Sequence, residues 1–320
     1  MRRFERIYDV VEPVEEYPME AITQYTSTMY STIGTRRQQQ VVLKILKADA
    51  SKDNKELSIL LQLSGSALEY PGKNHLMNLL DHFEHHSPNG THLCLVLLVM
   101  ISDGEAVTIT GRPHYAADIQ EVSRQILLGL DFLHTSDIIH CDLQPANITF
   151  SPDEDVDLET LLESRRGLLD GVEPSNLMVK IGDLGGAAFI RQREQRPVTP
   201  TALRAPELIH RIEWDVGIDI WTLGRLIFEL ATNEPLFPLG TFGLTAEQID
   251  EEHLYLIGQV LDKNNQTGDT FTQYLTDRLP ADFGAENLER LASFLSGMLQ
   301  EKAQKRMSTA ELLRHPFLFR

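Results

Sequence analysis

Five polar residues follow one another in an order that could support the transfer of a phosphoryl group. They are a lysine, a glutamate, an aspartate and an asparagine separated by four residues, and a second aspartate: Lys44, Glu56, Asp142, Asn147 and Asp183. This chemistry needs a cation on the α and β phosphates, oxygen ligands for Mg²⁺, and a carboxylate that orients the attacking hydroxyl. Each residue alone is weak evidence, because lysines and glutamates lie mostly on protein surfaces. The prediction of phosphoryl transfer therefore depends on all five residues and their order.

The segments around these residues have patterns that predict the elements that position them. Lys44 lies within the β-branched run QQVVLKIL, which predicts a strand. Glu56 lies in NKELSILLQLS, where the apolar spacing and a cap at Asn54 predict a helix. The continuous apolar run LCLVLLVM predicts a buried strand. From about residue 115 helical spacing dominates, with later helices predicted at 219–232, 251–261, 286–299 and 308–314.

Composition and charge limit the cellular setting and the class of partner. The chain has 320 residues, a formal net charge of −18, a pI near 5.0 and two cysteines, Cys94 and Cys141. The acidic charge argues against direct nucleic-acid binding and favours basic partners or simple solubility. Two cysteines imply no disulfide framework, and no segment resembles a signal peptide or a membrane span. We expect a monomer without membrane contact inside the cell, in the cytoplasm, the nucleus or both.

The motifs resemble those of the eukaryotic protein kinases from Tyr25 to the end of the chain. VVLK, HCDLQPAN, DLG and RAPE are similar to the V-A-I-K, H-R-D-L-K-P-E-N, D-F-G and A-P-E motifs of that family. The resemblance implies an α+β, bilobal protein-kinase-like fold with a small β-rich N-lobe and a larger, mainly helical C-lobe. The implied organisation is an irregular N-terminal arm at 1–22, an N-lobe and hinge at 23–100, and a C-lobe at 101–320 with a surface insertion at about 151–176.

The same resemblance implies a role for each of the five polar residues. Lys44 would hold the α and β phosphates of ATP and pair with Glu56. Asp142 would be the catalytic base, and Asn147 and Asp183 would bind Mg²⁺. ATP and Mg²⁺ are therefore the implied cofactors.

Two further residues of the implied catalytic machinery lie close to Asp142 in the family pattern. Gln144 replaces the lysine that neutralises the transferred phosphoryl group, and Thr201 aligns with a threonine that would meet Asp142 and Gln144. Cys141 replaces an arginine that pairs with a phosphorylated activation loop, and Ala146 replaces a glutamate that often contacts substrate.

Three residues outside the reacting centre have structural roles by the same resemblance. Glu207 and Arg306 would form a buried ion pair, and Asp219 would brace the catalytic loop.

The implied nucleotide site departs most from the family pattern. Its residues would be Thr26, Thr28, Ser31, Ile33, Val42, Lys44, Glu56, Leu98, Val99, Met100, Asn147, Thr149 and Asp183. Thr26 and Thr28 stand where glycines normally bring backbone N–H groups close to phosphates, and a branched Cβ opposes that approach. Val42 and Thr149 replace a small roof residue and an apolar floor residue of the adenine pocket. Weaker ATP binding is the expected result.

Finer features resemble the SR-protein kinase branch. They are YSTIG, LCLVLLVM, DLGGA, DEEHLYLIGQVLDK and the insertion before Asp183. The implied activity is that of an ATP-dependent serine/threonine protein kinase, which transfers the γ-phosphate to Ser/Thr hydroxyls of protein substrates. Because this branch modifies Arg/Ser-rich segments, such basic segments are candidate substrates.

Two alternatives stay open from the residues alone. The first is a pseudokinase, a binding or scaffolding module with weak or no phosphoryl transfer, which would explain Thr26, Thr28, Val42, Gln144 and Thr149. The second is a small-molecule kinase of similar fold, against which the A-P-E segment and the complete helical C-terminal part argue.

Overall fold

The computed structural model describes ten stretches of the chain, from residue 32 to residue 319. They are 32–36, 39–66, 69–88, 90–100, 102–109, 115–152, 177–191, 199–240, 242–266 and 270–319. The predicted N-terminal arm, the loop residues Thr26, Thr28 and Ser31, and nearly all of the predicted insertion lie outside these stretches.

The chain divides into two compact units. Among the described residues, the first unit contains those from 32 to 66 and from 77 to 100, and the second contains those from 69 to 76 and from 102 to 319. The first unit is built on a β-sheet and the second is mainly helical. The predicted α+β fold class is therefore confirmed.

The first unit is a four-stranded antiparallel sheet with two short helices. Its strand order is β1-β2-β4-β3. The elements are β1 (Thr32–Arg36), β2 (Gln39–Ile45), α1 (Ala48–Ser51), α2 (Lys55–Gly65), β3 (Leu79–Ser87) and β4 (Gly90–Leu98). Val41 and Leu43 of β2 pack against Val96 of β4 in a buried cluster. These β-branched and aliphatic side chains, alternating along β2, explain why this segment forms a strand.

The second unit contains the remaining strands and helices. Its strands form two small sheets of order β5-β7-β8 and β6-β9. The strands are β5 (Ser102–Asp103), β6 (Ile138–Ile139), β7 (Ile148–Pro152), β8 (Leu177–Ile181) and β9 (Ala188–Phe189). The helices are α3 (Gly104–Ile109), α4 (Ala116–Thr135), α5 (Pro206–Ile209), α6 (Gly217–Thr232), α7 (Ala246–Gln266), α8 (Thr270–Thr276), α9 (Ala285–Met298) and α10 (Thr309–Leu312).

Two long helices form the core of the second unit. The predicted apolar stripe of α4 is buried, as at Ile126 and Leu130. Every residue of α6 is buried except Glu229, and the buried Trp221 ring stacks on Phe237 at 5.9 Å. A helix that is enclosed on all sides belongs to the interior of a domain, so α6 is a rigid support for the loops that meet it.

The segment 69–76, which lies inside the range 23–100 predicted for the N-lobe and hinge, packs in the second unit. A 3-10 turn at Pro71–His75 lies against α4 so closely that a Cβ built at Gly72 would be 1.9 Å from the Leu128 carbonyl oxygen. Only glycine permits this approach. The tertiary contact with α4, which no local pattern reveals, therefore decides where this turn belongs.

The described residues contain neither a membrane-spanning helix nor a cluster of metal ligands. No helix there has both the length and the apolar character to cross a bilayer. No group of three or more His, Cys, Asp or Glu side chains in the same residues could hold a metal ion.

Candidate active site

The first unit holds the predicted lysine–glutamate pair. Lys44 lies on β2, and its Nζ donates to both carboxylate oxygens of Glu56 at 2.9 Å. Glu56 lies in the first turn of α2, whose start is fixed by Asn54, because the Asn54 side chain accepts from the Leu57 N–H at 2.8 Å. Lys44 is 5% exposed and Glu56 4% exposed. A buried charge needs a partner of this kind, so the pair presents one oriented ammonium group.

In the second unit, Asp219 braces the loop that carries the predicted base. Asp219 lies near the start of α6, is 1% exposed, and accepts from the backbone N–H groups of His140 and Cys141 at 2.7 and 2.9 Å. His134 at the end of α4 contacts the same carboxylate at 2.9 Å. These contacts are the ones expected for the bracing role predicted for Asp219. His134 was not predicted, and its only signal in the sequence is its place at the end of the α4 pattern.

His140 links the loop to the strand that precedes Asp183. Its Nδ1 accepts from the Asp142 N–H at 3.2 Å, so Nε2 carries the proton and donates to the Gly182 carbonyl at 2.9 Å. His140 is completely buried. It is a second supporting residue that was not predicted, although it begins the motif HCDLQPAN.

The two oxygens of the Asp142 carboxylate have different surroundings. Oδ2 accepts from Gln144 Nε2 at 3.1 Å and from Asn147 Nδ2 at 3.2 Å. Oδ1 is buried and has no hydrogen-bond partner among the described residues. A buried carboxylate oxygen without a partner is costly, which indicates that the site keeps it for a donor on a bound molecule.

Burial also changes the acidity of this carboxyl group. It raises the pKa of Asp142 to about 6, and the negative charge of Asp183 raises the same pKa. His140 and the amide groups of Asn147 and Gln144 act in the opposite direction. A pKa between that of a free carboxyl and neutrality suits a group that accepts a proton near pH 7.

Asp183 lies in a turn that passes beside Asp142. The backbone of Asp183 is left-handed, with φ of 51°, and its side chain accepts from the Gly185 N–H at 3.2 Å. A Cβ built at Gly186 would lie 3.4 Å from the Asp142 Cβ, so the turn is in contact with the base. The structure thus brings the two predicted aspartates together.

Asp183 and Asn147 supply ligand atoms that suit Mg²⁺. Asn147 is 8% exposed, and its amide nitrogen donates to the Asp142 carbonyl at 2.8 Å, so its oxygen is the atom for a cation. Mg²⁺ prefers oxygen ligands and commonly binds through one or two protein groups together with substrate phosphates and water. The carboxylate and the carboxamide therefore fit the implied ion.

Several residues of the predicted adenine pocket lie on strands β1, β2 and β4 or directly after them. Val42 pairs with Ile33 on one side and Leu97 on the other within the sheet. Leu98 ends β4 at 37% exposed, and Val99 and Met100 follow it partly buried.

The hydroxyl group of Thr149, which replaces an apolar floor residue, is paired within the β-sheet. Thr149 lies opposite Lys180, and its hydroxyl donates to the Lys180 carbonyl at 3.1 Å. The substitution of an apolar floor residue by threonine therefore leaves its hydroxyl paired.

The contact expected between Thr201 and the residues Asp142 and Gln144 stays a prediction. Thr201 begins a 3-10 turn at Thr201–Leu203, and no hydrogen bond in the described residues joins its side chain to Asp142 or Gln144. The threonine that contacts the catalytic loop is Thr199, whose hydroxyl donates to the Cys141 carbonyl at 2.6 Å. Thr199 precedes the turn and Thr201 begins it, a difference that one-dimensional alignment does not show.

The predicted structural ion pair is present. Arg306 donates to both carboxylate oxygens of Glu207, at 2.6 and 2.7 Å. The same guanidinium donates to the backbone carbonyls of Gly217 and Gln300 at 2.8 Å, and it lies 5.1 Å from the centre of the Trp221 ring. It therefore joins α5, the start of α6 and the segment before α10.

Comparison with known proteins agrees with this geometry. The family described as protein kinase domain matches residues 25–318. The serine/threonine-protein kinase SRPK of Physarum polycephalum is 28% identical over 87% of this chain and 79% of its own length. The dual specificity protein kinase CLK2 of Mus musculus is 25% identical over 87% of this chain. The serine/threonine-protein kinase prp4 of Schizosaccharomyces pombe is 28% identical over 80%. The matches span only 58% and 48% of these last two relatives.

Proposed function

Because this chain belongs to the protein kinase domain family, we propose that it is an ATP- and Mg²⁺-dependent serine/threonine protein kinase of the SR-protein-kinase type. The observation that carries the proposal is the Asp142 carboxylate, which is buried on a loop braced by Asp219 and has one oxygen without a partner among the described residues. A scaffold that had lost catalysis would have no need to keep this costly arrangement.

The proposed reaction assigns one step to each group. The hydroxyl oxygen of a substrate serine or threonine attacks the γ-phosphorus of ATP, the bond from that phosphorus to the β–γ bridging oxygen breaks, and ADP leaves. Asp142 Oδ1 receives the hydroxyl proton. Lys44, held by Glu56, would bind the α and β phosphates. Asn147 and Asp183 would hold Mg²⁺, which neutralises phosphate charge when bound.

We propose Arg/Ser-rich protein segments as the substrate class. The formal net charge of −18 favours basic partners, because opposite charges raise the rate of encounter. The similarity to SRPK, CLK2 and prp4 supports the same substrate class. Such substrates place the proposed activity inside the cell.

The experiment measures Mg·ATP binding by thermal shift and ³²P transfer to an Arg/Ser-rich peptide. The wild type should bind and transfer, Lys44→Met should lose nucleotide binding, and Asp142→Asn should bind but not transfer. Lys47→Met and Asp137→Asn are the matched controls, because Lys47 and Asp137 are exposed and repeat each substitution outside the site. A peptide with every arginine replaced by glutamine tests the substrate class.

Three outcomes would contradict different parts of the proposal. A wild type that neither binds Mg·ATP nor transfers phosphate would favour the pseudokinase alternative. Transfer that survives Asp142→Asn would overturn the assignment of the base. Equal transfer to the arginine-free peptide would overturn only the substrate class.

A further inference from the structure

The peptide unit between Cys141 and Asp142 is held at both of its polar ends. Its carbonyl oxygen accepts from Thr199 Oγ1 at 2.6 Å, and its N–H donates to His140 Nδ1 at 3.2 Å. Because the atoms of a peptide unit are coplanar, two such contacts fix the orientation of the whole unit. One of them comes from a residue 58 positions later in the chain.

The backbone at this point is one that a non-glycine residue rarely adopts. Cys141 has φ of 66°, in the left-handed region. Such a conformation costs free energy and persists only where its surroundings determine it strongly. Asp219 accepts from the Cys141 N–H at 2.9 Å, and Thr199 donates to its carbonyl. The two side chains therefore hold the strained residue from opposite sides.

Thr199 is itself fixed and enclosed. It is 3% exposed, and its own carbonyl accepts from Arg204 Nε at 3.3 Å. Arg204 in turn lies 3.5 Å from an Asp250 carboxylate oxygen. A buried hydroxyl bonded in this way is an oriented donor, and its loss would leave a buried carbonyl without that partner.

We propose that Thr199 is a positioning residue for the Asp142 base. Its hydroxyl holds the Cys141 carbonyl, and this sets the peptide plane from which the Asp142 side chain projects. This role rests on the kinase activity proposed above. It belongs to Thr199, whereas the family alignment indicated Thr201.

Three variants test the role. Thr199→Val keeps the shape and removes the hydroxyl, and Thr199→Ser keeps the hydroxyl and removes the methyl. Thr222→Val is the matched control, because Thr222 is 4% exposed and its hydroxyl donates to one backbone carbonyl, that of Ile218, at 2.8 Å within α6. The kinetic measurement is kcat and KM per folded protein, with Mg·ATP and an Arg/Ser-rich peptide.

Thr199→Val should lower kcat by roughly 10- to 100-fold, because a small displacement of a catalytic group lowers the rate strongly. The KM for Mg·ATP should be unchanged. Thr199→Ser should restore kcat to within about threefold of wild type, the spread to be expected of a conservative change. Thr222→Val should leave kcat unchanged. A Thr199→Val enzyme with the kcat of the Thr222→Val enzyme would overturn the positioning role.

Hydrogen exchange separates this proposal from the kinase activity itself. The Asp142 amide should exchange at least roughly tenfold faster in Thr199→Val than in the wild type, Thr199→Ser or Thr222→Val, because its peptide unit has lost an anchor. This readout needs no substrate. Unchanged exchange would overturn the role of Thr199 even in an active enzyme, and faster exchange in an inactive protein would uphold it while the proposed function fails.

Discussion

At the scale of single residues, the candidate site depends on how one carboxylate is surrounded. Asp142 has one oxygen paired with two amide groups and one without a partner in the described part of the chain. It also lies beside Asp183, a second carboxylate. Two consequences of this burial can be measured, one in the pH dependence of the reaction and one in the stability of the fold.

The pH dependence should follow the raised pKa of Asp142. Burial raises this pKa to about 6, so the base becomes protonated, and loses its function, as the pH falls through that value. We expect kcat/KM to decrease on the acid side, approaching tenfold per pH unit below the pKa. Carboxyl NMR of the nucleotide-free protein should give the same pKa. Asp183→Asn should lower it, because a neighbouring negative charge is removed; a flat rate profile from pH 7 to 5 would contradict the assignment.

The same carboxylate should lower the stability of the fold at neutral pH. A raised pKa means that the folded state binds this proton more tightly than the unfolded state, so the contribution to stability is largest at low pH and is lost as the pH rises through about 6. Asp142→Asn should therefore raise the free energy of unfolding at pH 8 by on the order of 3 kcal/mol, and by about half as much at pH 5, where the carboxyl is still ionised in the unfolded state. Urea unfolding at the two pH values measures this difference. The exposed Asp137→Asn control should show no such gain.

Gln144 is the position in the predicted catalytic loop where a substitution should raise activity. Its amide donates to Asp142 at 3.1 Å but brings no positive charge to the transferred phosphoryl group. Gln144→Lys should raise kcat by roughly tenfold or more, because a cation aimed at developing negative charge stabilises the transition state. Gln144→Met, which has similar length and no charge, should lower kcat. If the lysine variant is no faster than wild type, the glutamine is not what limits the rate.

At the scale of elements, helix α2 presents Glu56 to Lys44 from its first turn. The start of that helix depends on Asn54, whose side chain accepts from the Leu57 N–H. A cap at this position satisfies one of the backbone donors that an α-helix leaves unpaired. The geometry of the ion pair therefore depends on a residue that is not itself a member of the pair.

The cap gives a prediction for stability and for nucleotide binding together. Asn54→Ala should lower the free energy of unfolding by about 1 kcal/mol and weaken Mg·ATP binding, because the first turn of α2 frays. Asn54→Ser keeps an acceptor at the cap and should behave like the wild type. Urea unfolding and a nucleotide titration measure the two effects. Equal stability of the alanine and serine variants would show that the cap is not used.

At the scale of the whole molecule, Arg306 contacts parts of the second unit that are distant in the sequence. It pairs with Glu207, donates to the Gly217 and Gln300 carbonyls, and stacks near Trp221. The guanidinium therefore has several hydrogen-bond partners, and each of these contacts is buried or partly buried. Removing one partner would leave a buried charge with no compensation.

Loss of the Arg306 side chain should lower the stability of the fold strongly. Arg306→Ala should destabilise the fold by roughly 3–5 kcal/mol, because Glu207 would stay buried and unpaired. Arg290→Ala is the control, because it removes an arginine from the more exposed Glu286 pair, which should cost at most about 1 kcal/mol. Urea unfolding measures both. Similar losses in the two variants would show that the buried pair contributes no more than a surface pair.

The sequence by itself determined the fold class and predicted which residues would be the reacting groups. Order and spacing are properties of the chain, so Lys44, Glu56, Asp142, Asn147 and Asp183 could be recognised before any contact was known. The long helices were also predictable, as α6 at Gly217–Thr232 against the predicted 219–232 shows, because their apolar periodicity is local.

Only the tertiary structure decided which side chains support those groups. Thr199, and not Thr201, donates to the Cys141 carbonyl, and the turn at Pro71–His75 packs in the second unit. These outcomes depend on hydrogen bonds and close packing between residues tens of positions apart. Local patterns carry no information on such contacts, because the partners meet only when the whole unit has folded.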